Sequence, residues 1–256
     1  MKVKKLIKKL INFILKPFNL RINRVNNQYD IDYSEEFIQI YDQCKDYSIT
    51  TIEQMNALYE AVKYVSSNKI EGEIVECGVW KGGSCMLIAK VLNILDEKKR
   101  KIILYDTFEG MVEPTDKDVE VQTNELARNI LKKEEKGTEK YNIWAYAPLD
   151  MVKKNMASTD YPEENIIYIK GKIEETLPGY IPGKISILRL DTDWYESTKH
   201  ELEHLYPILS PGGVLIIDDY GHFAGARKAV DEYFSGLEKP PYMSRIDYSG
   251  RIIIKK

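Results

Sequence analysis

From Glu73 onward the sequence alternates short apolar runs with stretches of helical periodicity, and this alternation limits the fold more than any other feature. Runs at 73–77, 101–105, 166–170, 185–190 and 213–217 read as strands. The stretches 83–95, 146–157, 196–209 and 224–235 read as helices between them. Strands that alternate with helices pair in parallel, with helices covering both faces of the sheet. A run as uniformly apolar as Val214-Leu215-Ile216-Ile217 suits burial from both sides. The tail, Tyr242 to Tyr248 and Arg251 to Ile254 around Ser249-Gly250, reads as a hairpin that extends the sheet with antiparallel strands. A chain of 256 residues, 43% of them apolar, suffices for one such α/β domain with a sizeable core.

Two helices are expected ahead of the sheet, at 35–46 and 51–67. In the second, Ile52, Met55, Leu58, Tyr59, Val62 and Val65 fall near one face, and Thr51 is placed to start it. Residues 1–26 differ in kind. They carry Lys2, Lys4, Lys5, Lys8, Lys9, Lys16, Arg21 and Arg24, with no acid before Asp30. Without these eight cations, 29 basic residues face 40 acidic ones, so the overall net charge of −3 hides a basic arm on an acidic body. Apolar residues in the arm recur at helical spacing and are interrupted by Lys8 and Lys9, which argues for an amphipathic helix rather than a signal peptide. Such a helix can make weak contact with an anionic membrane surface. Packing on the domain or on a second subunit is the favoured expectation. The expected organisation is an arm and linker over 1–34 and a domain over 35–256. Within the domain, the charged stretch 111–145, with a helix around 122–135, is a lid-like insertion.

Several classes are disfavoured. The near-neutral charge carries no general nucleic-acid footprint. No run of eighteen apolar residues is present to cross a membrane. Cys44, Cys77 and Cys85 are odd in number and lack metal-ligand spacing, so they read as buried free thiols. The expected location is therefore the cytoplasm, with the basic arm the one feature that would bring the chain to the inner membrane.

Four clusters carry chemistry. Glu76-Cys77-Gly78-Val79-Trp80-Lys81-Gly82-Gly83-Ser84 follows a strand and opens a helix. Gly78 allows a sharp turn, Gly82 and Gly83 admit a ligand to backbone amides, and Ser84 can cap the helix or meet a carboxylate. The run is not G-x-G-x-x-G. Its acid at the strand end suits an ammonium-bearing ligand better than a pyrophosphate. Tyr105-Asp106-Thr107-Phe108-Glu109-Gly110 puts an acid at the end of the next strand, where ribose hydroxyls are bound in nucleotide-binding sheets. Asp191-Thr192-Asp193-Trp194 and Asp218-Asp219-Tyr220-Gly221 each follow an apolar strand. Helix capping explains one acid in each pair but not two. Four carboxylates brought together call for a positive charge among them, and a hard divalent cation such as Mg²⁺ prefers oxygen ligands. His200 and His204 sit four apart on a predicted helix without the glutamate of a zinc-protease motif, and read as a solvated face; His222 is not assigned a direct role.

These clusters, in this order, resemble the macrocin O-methyltransferase (TylF-like) family. The resemblance runs from about Thr51 to about Phe234 and rests on Gly72 to Ser84, Tyr105 to Gly110, Lys170 to Pro178, Leu188 to Thr198 and Ser210 to Tyr220, with Gly225 to Val230 following. It implies the Rossmann-like class I methyltransferase fold, a mostly parallel sheet of seven strands with the last antiparallel. It also implies methylation of a sugar hydroxyl from S-adenosylmethionine with Mg²⁺, and a homo-oligomer. Carried over, Asp191, Asp218 and Asp219 hold the metal and Asp193 is the general base. Asp106 binds the cofactor ribose, with Thr107 beside it. Glu76, Gly78 and Ser84 lie around the methionine part, Gly171 and Lys172 on the adenine side, and Gly82 and Asp191 also belong to the cofactor-binding set. The acceptor class is a sugar-bearing small molecule or a glycan precursor, and the 111–145 insertion, with Trp144, would exclude water. An NAD-dependent oxidoreductase is disfavoured by the absent glycine fingerprint and by the paired acids. A non-catalytic binding protein on the same fold has no reason to keep four like charges in one cleft.

Overall fold

The structure, a computed structural model, describes residues 32–137 and 143–256; the predicted basic arm lies outside the described residues. Residues up to Ile38 belong to one compact unit and residues from Gln39 to a second, which holds the sheet. In chain order the elements are α1 (Glu35–Cys44), α2 (Ile52–Ser67), β1 (Glu73–Cys77), α3 (Gly83–Ile94), β2 (Ile102–Asp106), α4 (Ala127–Leu131), α5 (Leu149–Ala157), β3 (Ile166–Lys170), α6 (Ile173–Thr176), β4 (Ile185–Leu190), α7 (Tyr195–Leu205), β5 (Leu209–Ile217), α8 (Ala224–Ser235), β6 (Met243–Arg245) and β7 (Arg251–Ile254).

The sheet has seven strands in the order β3-β2-β1-β4-β5-β7-β6. Strands β1 to β5 pair in parallel, as expected, and β7 runs antiparallel to β5. The tail is a hairpin, but it is turned inward. Its second strand, β7, lies beside β5 and its first, β6, is the outer one, so only β7 runs against the other strands. Side chains alternate between faces with period two. Val75, Cys77, Ile103, Tyr105, Leu188 and Leu215 build the core on one face with Leu202 and Leu205 of α7 and Val230 and Phe234 of α8. The other face meets α2, which packs on α3 and against β4 and β5. Thr51 starts α2 as its spacing predicts: its Oγ1 accepts the amide of Gln54 and donates to Asp247 in the tail, at 2.6 Å.

Strand β5 begins at Leu209, four residues before the predicted start, because Ser210-Pro211-Gly212-Gly213 continues the extended backbone despite its turn-like composition. The helix predicted at 122–135 contracts to the five residues of α4. The preceding residues are spent on backbone pairing instead: Val119 bridges Leu126 and Glu120 bridges Phe223. Asp118, wholly buried, fastens this insertion. Its Oδ2 accepts the amide of Thr115 at 2.7 Å, and its Oδ1 accepts the amide of Tyr195 at the start of α7 at 2.8 Å. The Trp194 indole donates to the carbonyl of Val112 at 3.0 Å. A satellite core of Ala127, Leu131, Trp144, Trp194, Phe223 and Ala226 closes the contact. At Gly225, the second residue of α8, an added methyl carbon would lie 2.0 Å from Asp118 Oδ1. Gly225→Ala should therefore push Asp118 off the Tyr195 amide and cost roughly 1–3 kcal/mol, read as a lower urea midpoint at unchanged slope.

Candidate active site at the strand ends

The carboxyl ends of β1, β2 and β4 surround a cavity of about 960 Å³, part of it open to solvent. Gly78, Ser84, Asp106, Thr107, Gly171, Lys172, Asp191 and Asp193 all line it, so sequence-predicted residues from the ends of four separate strands meet here. Gly78 takes a left-handed backbone with φ of 83°, and a β-carbon there would lie 1.9 Å from the carbonyl oxygen of Asp191. Only glycine lets the β1 and β4 loops approach this closely. Asp106 stitches the loops after β1 and β2. Its Oδ2 accepts the amides of Val79 at 2.6 Å and Trp80 at 3.3 Å, and its Oδ1 accepts that of Phe108 at 2.6 Å. Burial raises this carboxyl above its usual range and the amides pull against the rise. The Thr107 hydroxyl also donates to Oδ1, at 3.5 Å.

Four of the predicted residues do not line the cavity: Glu76, Gly82, Asp218 and Asp219. Gly82 is the N-cap of α3 and faces Val152 and Met156. Glu76 is fully buried. One oxygen takes the Ser84 hydroxyl and the Arg189 guanidinium, and the other takes the Cys85 thiol. It is spent on the protein rather than turned toward an ammonium. Sequence reasoning also passed over Thr50, whose flanking residues Ser48 and Ile49 line the cavity with it ahead of α2.

The largest omission is Arg189. It is 2% exposed, the last residue but one of β4, and its backbone register partner on β1 is Glu76. Nη1 lies 2.5 Å from Glu76 Oε1 and 2.7 Å from Asp191 Oδ2, and Nη2 lies 2.8 Å from Asp218 Oδ2 and 2.8 Å from Thr50 Oγ1. A positive charge therefore already sits among the acids. Asp191, Asp193 and Asp219 each offer an oxygen within 4.8 Å of the others. Asp218 and Asp191 each give one oxygen to Arg189. Oδ2 of Asp219 is buried without a hydrogen-bond partner, and a cation among the three oxygens would satisfy it. Hard oxygen donors at this separation fit Mg²⁺.

Burial raises Asp193, and its neighbours Asp191 and Asp218 raise it further, to about 8 despite relief from Asp219 and Arg189. Burial and then Asp191 lift Asp218; burial and then Asp193 lift Asp219. The loop that carries Asp193 is held from below by Glu201, a fully buried carboxyl on α7 that accepts the Thr192 hydroxyl at 2.8 Å and is raised by burial. Asp193, Trp80 and Phe108 all have positive φ, at 67°, 46° and 52°, so the loops after β1, β2 and β4 each contain a left-handed non-glycine residue. The histidines stay outside the acid cluster. His200 and His204 each contact a main-chain carbonyl, and His222 lies 3.8 Å from Glu120.

A sheet in this order with a ligand cavity at its strand ends defines a Rossmann-like methyltransferase fold. The chain belongs to the macrocin-O-methyltransferase (TylF) family, whose model matches residues 41–255, and it is a methyltransferase. It is 33% identical over 206 residues, 80% of its length and 74% of the relative's, to 8-demethyl-8-(2,3-dimethoxy-alpha-L-rhamnosyl)-tetracenomycin-C 4'-O-methyltransferase of Streptomyces olivaceus. It is 29% identical over 199 residues, 78% of this chain and 72% of the other, to demethyldecarbamoylnovobiocin O-methyltransferase of Streptomyces niveus. Among solved structures, the O-methyltransferase NovP superposes with a TM-score of 0.69 at 28% identity, covering 82% of each chain. The calicheamicin methyltransferase CalS11, at 17% identity and a TM-score of 0.60 over 91% of this chain and 99% of its own, shares the fold.

The raised acids have a stability consequence. An unfolded aspartate titrates near about 4, so between about pH 4 and pH 8 the folded cluster keeps protons that the unfolded chain has released. Its contribution is present at the acid end and is lost as pH rises through the folded value. A divalent cation bound among these acids would replace those protons. Mg²⁺ should therefore raise the melting temperature more at about pH 8 than at about pH 6, a difference read directly by scanning calorimetry.

Proposed function

We propose that this enzyme transfers the methyl group of S-adenosylmethionine to a sugar hydroxyl on a glycosylated small molecule or glycan precursor, with Mg²⁺ held at Asp191, Asp218 and Asp219. One observation carries the reading: Asp191 and Asp193 line the same cavity as Gly78 and Asp106, so the acid cluster and the nucleoside-type site share a wall. The relatives support the acceptor class, one being named for a rhamnosyl-bearing tetracenomycin and another for mycinamicin III.

S-adenosylmethionine bound in the cavity supplies an electrophilic sulfonium methyl, and the chain's task is to hold donor and acceptor in line. Asp106, fixed by three amides, is placed to accept the ribose hydroxyls, with Thr107 beside it. The Gly78 turn and Ser84 border the methionine end, while Gly171 and Lys172 border the adenine end. Mg²⁺ at the acid cluster would lower the pKa of a neighbouring acceptor hydroxyl. Asp218 gives one oxygen to Arg189 and so offers a cation its other one. Asp193 faces the cavity and takes the proton. Burial and the neighbouring acids hold this carboxyl protonated up to about 8; a cation at the cluster would displace that proton and leave the carboxylate able to act as base. Met111, Val112 and Ile143 of the insertion form an apolar wall that keeps water from the reacting centre.

Incubation with S-adenosylmethionine, Mg²⁺ and a panel of rhamnosides and nucleotide sugars should give a product heavier by one CH₂ with at least one member. No product across the panel, alongside tight S-adenosylhomocysteine binding, would move the acceptor to another class. Chelation should abolish turnover and Mg²⁺ restore it. Asp193→Asn should keep S-adenosylhomocysteine affinity and lose roughly 10²–10⁴-fold in kcat; near-wild-type turnover would remove Asp193 from the reaction.

A further inference from the structure

We propose that Arg189 is the positioning residue of the cation site: a permanent internal cation that fixes one oxygen each of Glu76, Asp191 and Asp218 and leaves the rest of the acid cluster open for a divalent ion. The inference rests on the cation reading above and goes beyond it, since it concerns what gives the site its geometry and charge before any ion arrives.

Five carboxyl groups gather around Arg189: Glu76, Asp191, Asp193, Asp218 and Asp219. It is ion-paired with three of them, Glu76, Asp191 and Asp218. The planar guanidinium directs its terminal N–H groups along fixed lines. Here they go to four oxygens from four parts of the chain: Glu76 on β1, Asp191 after β4, Asp218 after β5 and Thr50 ahead of α2. Asp191, Asp193 and Asp219 each offer an oxygen within 4.8 Å of the others, and Asp219 Oδ2 is buried without a partner. Arg189 thereby neutralises the deep acids and fixes the roots of the two loops that carry Asp193 and Asp219. Thr50 lines the cofactor cavity, so the same guanidinium also ties the acid cluster to the cavity wall.

A lysine keeps the charge but presents one ammonium group, which cannot span four oxygens set by a planar fork. Partners that orient metal ligands from behind are worth about 10–100-fold in metal affinity. The test is Mn²⁺ titration of the full chain, followed by the electron paramagnetic resonance signal of the free ion, with thermal melts run in parallel. Wild type is expected to bind Mn²⁺, and folded Arg189→Lys to bind it about tenfold or more weakly while S-adenosylhomocysteine affinity changes much less. A folded Arg189→Lys that binds Mn²⁺ within about twofold of wild type overturns the role of Arg189 and leaves the cation reading standing. Wild type that takes up no Mn²⁺ overturns both. Should Arg189→Lys fail to fold, Glu76→Gln decides: it removes one anchor of the guanidinium and leaves Asp191, Asp193, Asp218 and Asp219 in place. A loss of affinity of about fivefold or more supports the proposal, and an unchanged affinity overturns it.

Discussion

Where β1 and β4 run side by side in the centre of the sheet, Glu76 is in register with Arg189, and both side chains leave the same face. Burying an arginine and a carboxylate there is costly unless every charged group finds partners. The sheet's own geometry supplies them. Asp191 lies two residues beyond Arg189, and Asp218 two beyond Ile216, the residue in register with Arg189 on β5. Period-two alternation sends both acids to the same face as the guanidinium. Removing the arginine would leave three acids in contact with one another, and breaking a buried pair from one side typically costs about 3–5 kcal/mol. The acid-rich loops at the strand ends are therefore built on this network.

The loops above it are held by unusual means. Left-handed residues at Trp80, Phe108 and Asp193, together with the close approach of Gly78 to Asp191, place three turns within one cavity. Such conformations persist when surrounding contacts over-determine them. The Asp106 amide bonds do this for the first two loops, and Thr192 on Glu201 does it for the third. The insertion after β2 is secured the same way: one buried carboxylate, Asp118, joins it to the amide that opens α7. That places Met111 and Val112 as a cavity wall with its own satellite core behind it.

Much of this was legible in the residues. The bounds of β1, β3 and β4 follow their apolar runs to the residue, and the family was recognisable from the order of the acidic and glycine-rich motifs. The early start of β5 was hidden because Pro211, Gly212 and Gly213 read as a turn, and the contraction of α4 because its charged helical spacing competes with bridges to residues 222–224 that only the fold supplies. Arg189 left one faint trace, a single charge inside Ile185-Ser186-Ile187-Leu188-Arg189-Leu190. A charged residue at a two-sided buried position demands a partner, but Glu76 is more than a hundred residues away in sequence.

The sequence by itself determined the parallel α/β architecture, the motif order that defines the family and the gathering of acids at the strand ends, because each is written in periodicity and composition over a few neighbouring residues. Only the tertiary structure decided which acids are paired with a buried guanidinium, that Glu76 supports the site from behind, and that Thr50 and the 111–137 stretch border or flank the cavity. Those outcomes depend on strand register and on contacts across long stretches of chain. Local patterns do not encode the register, because it is set jointly by every strand in the sheet.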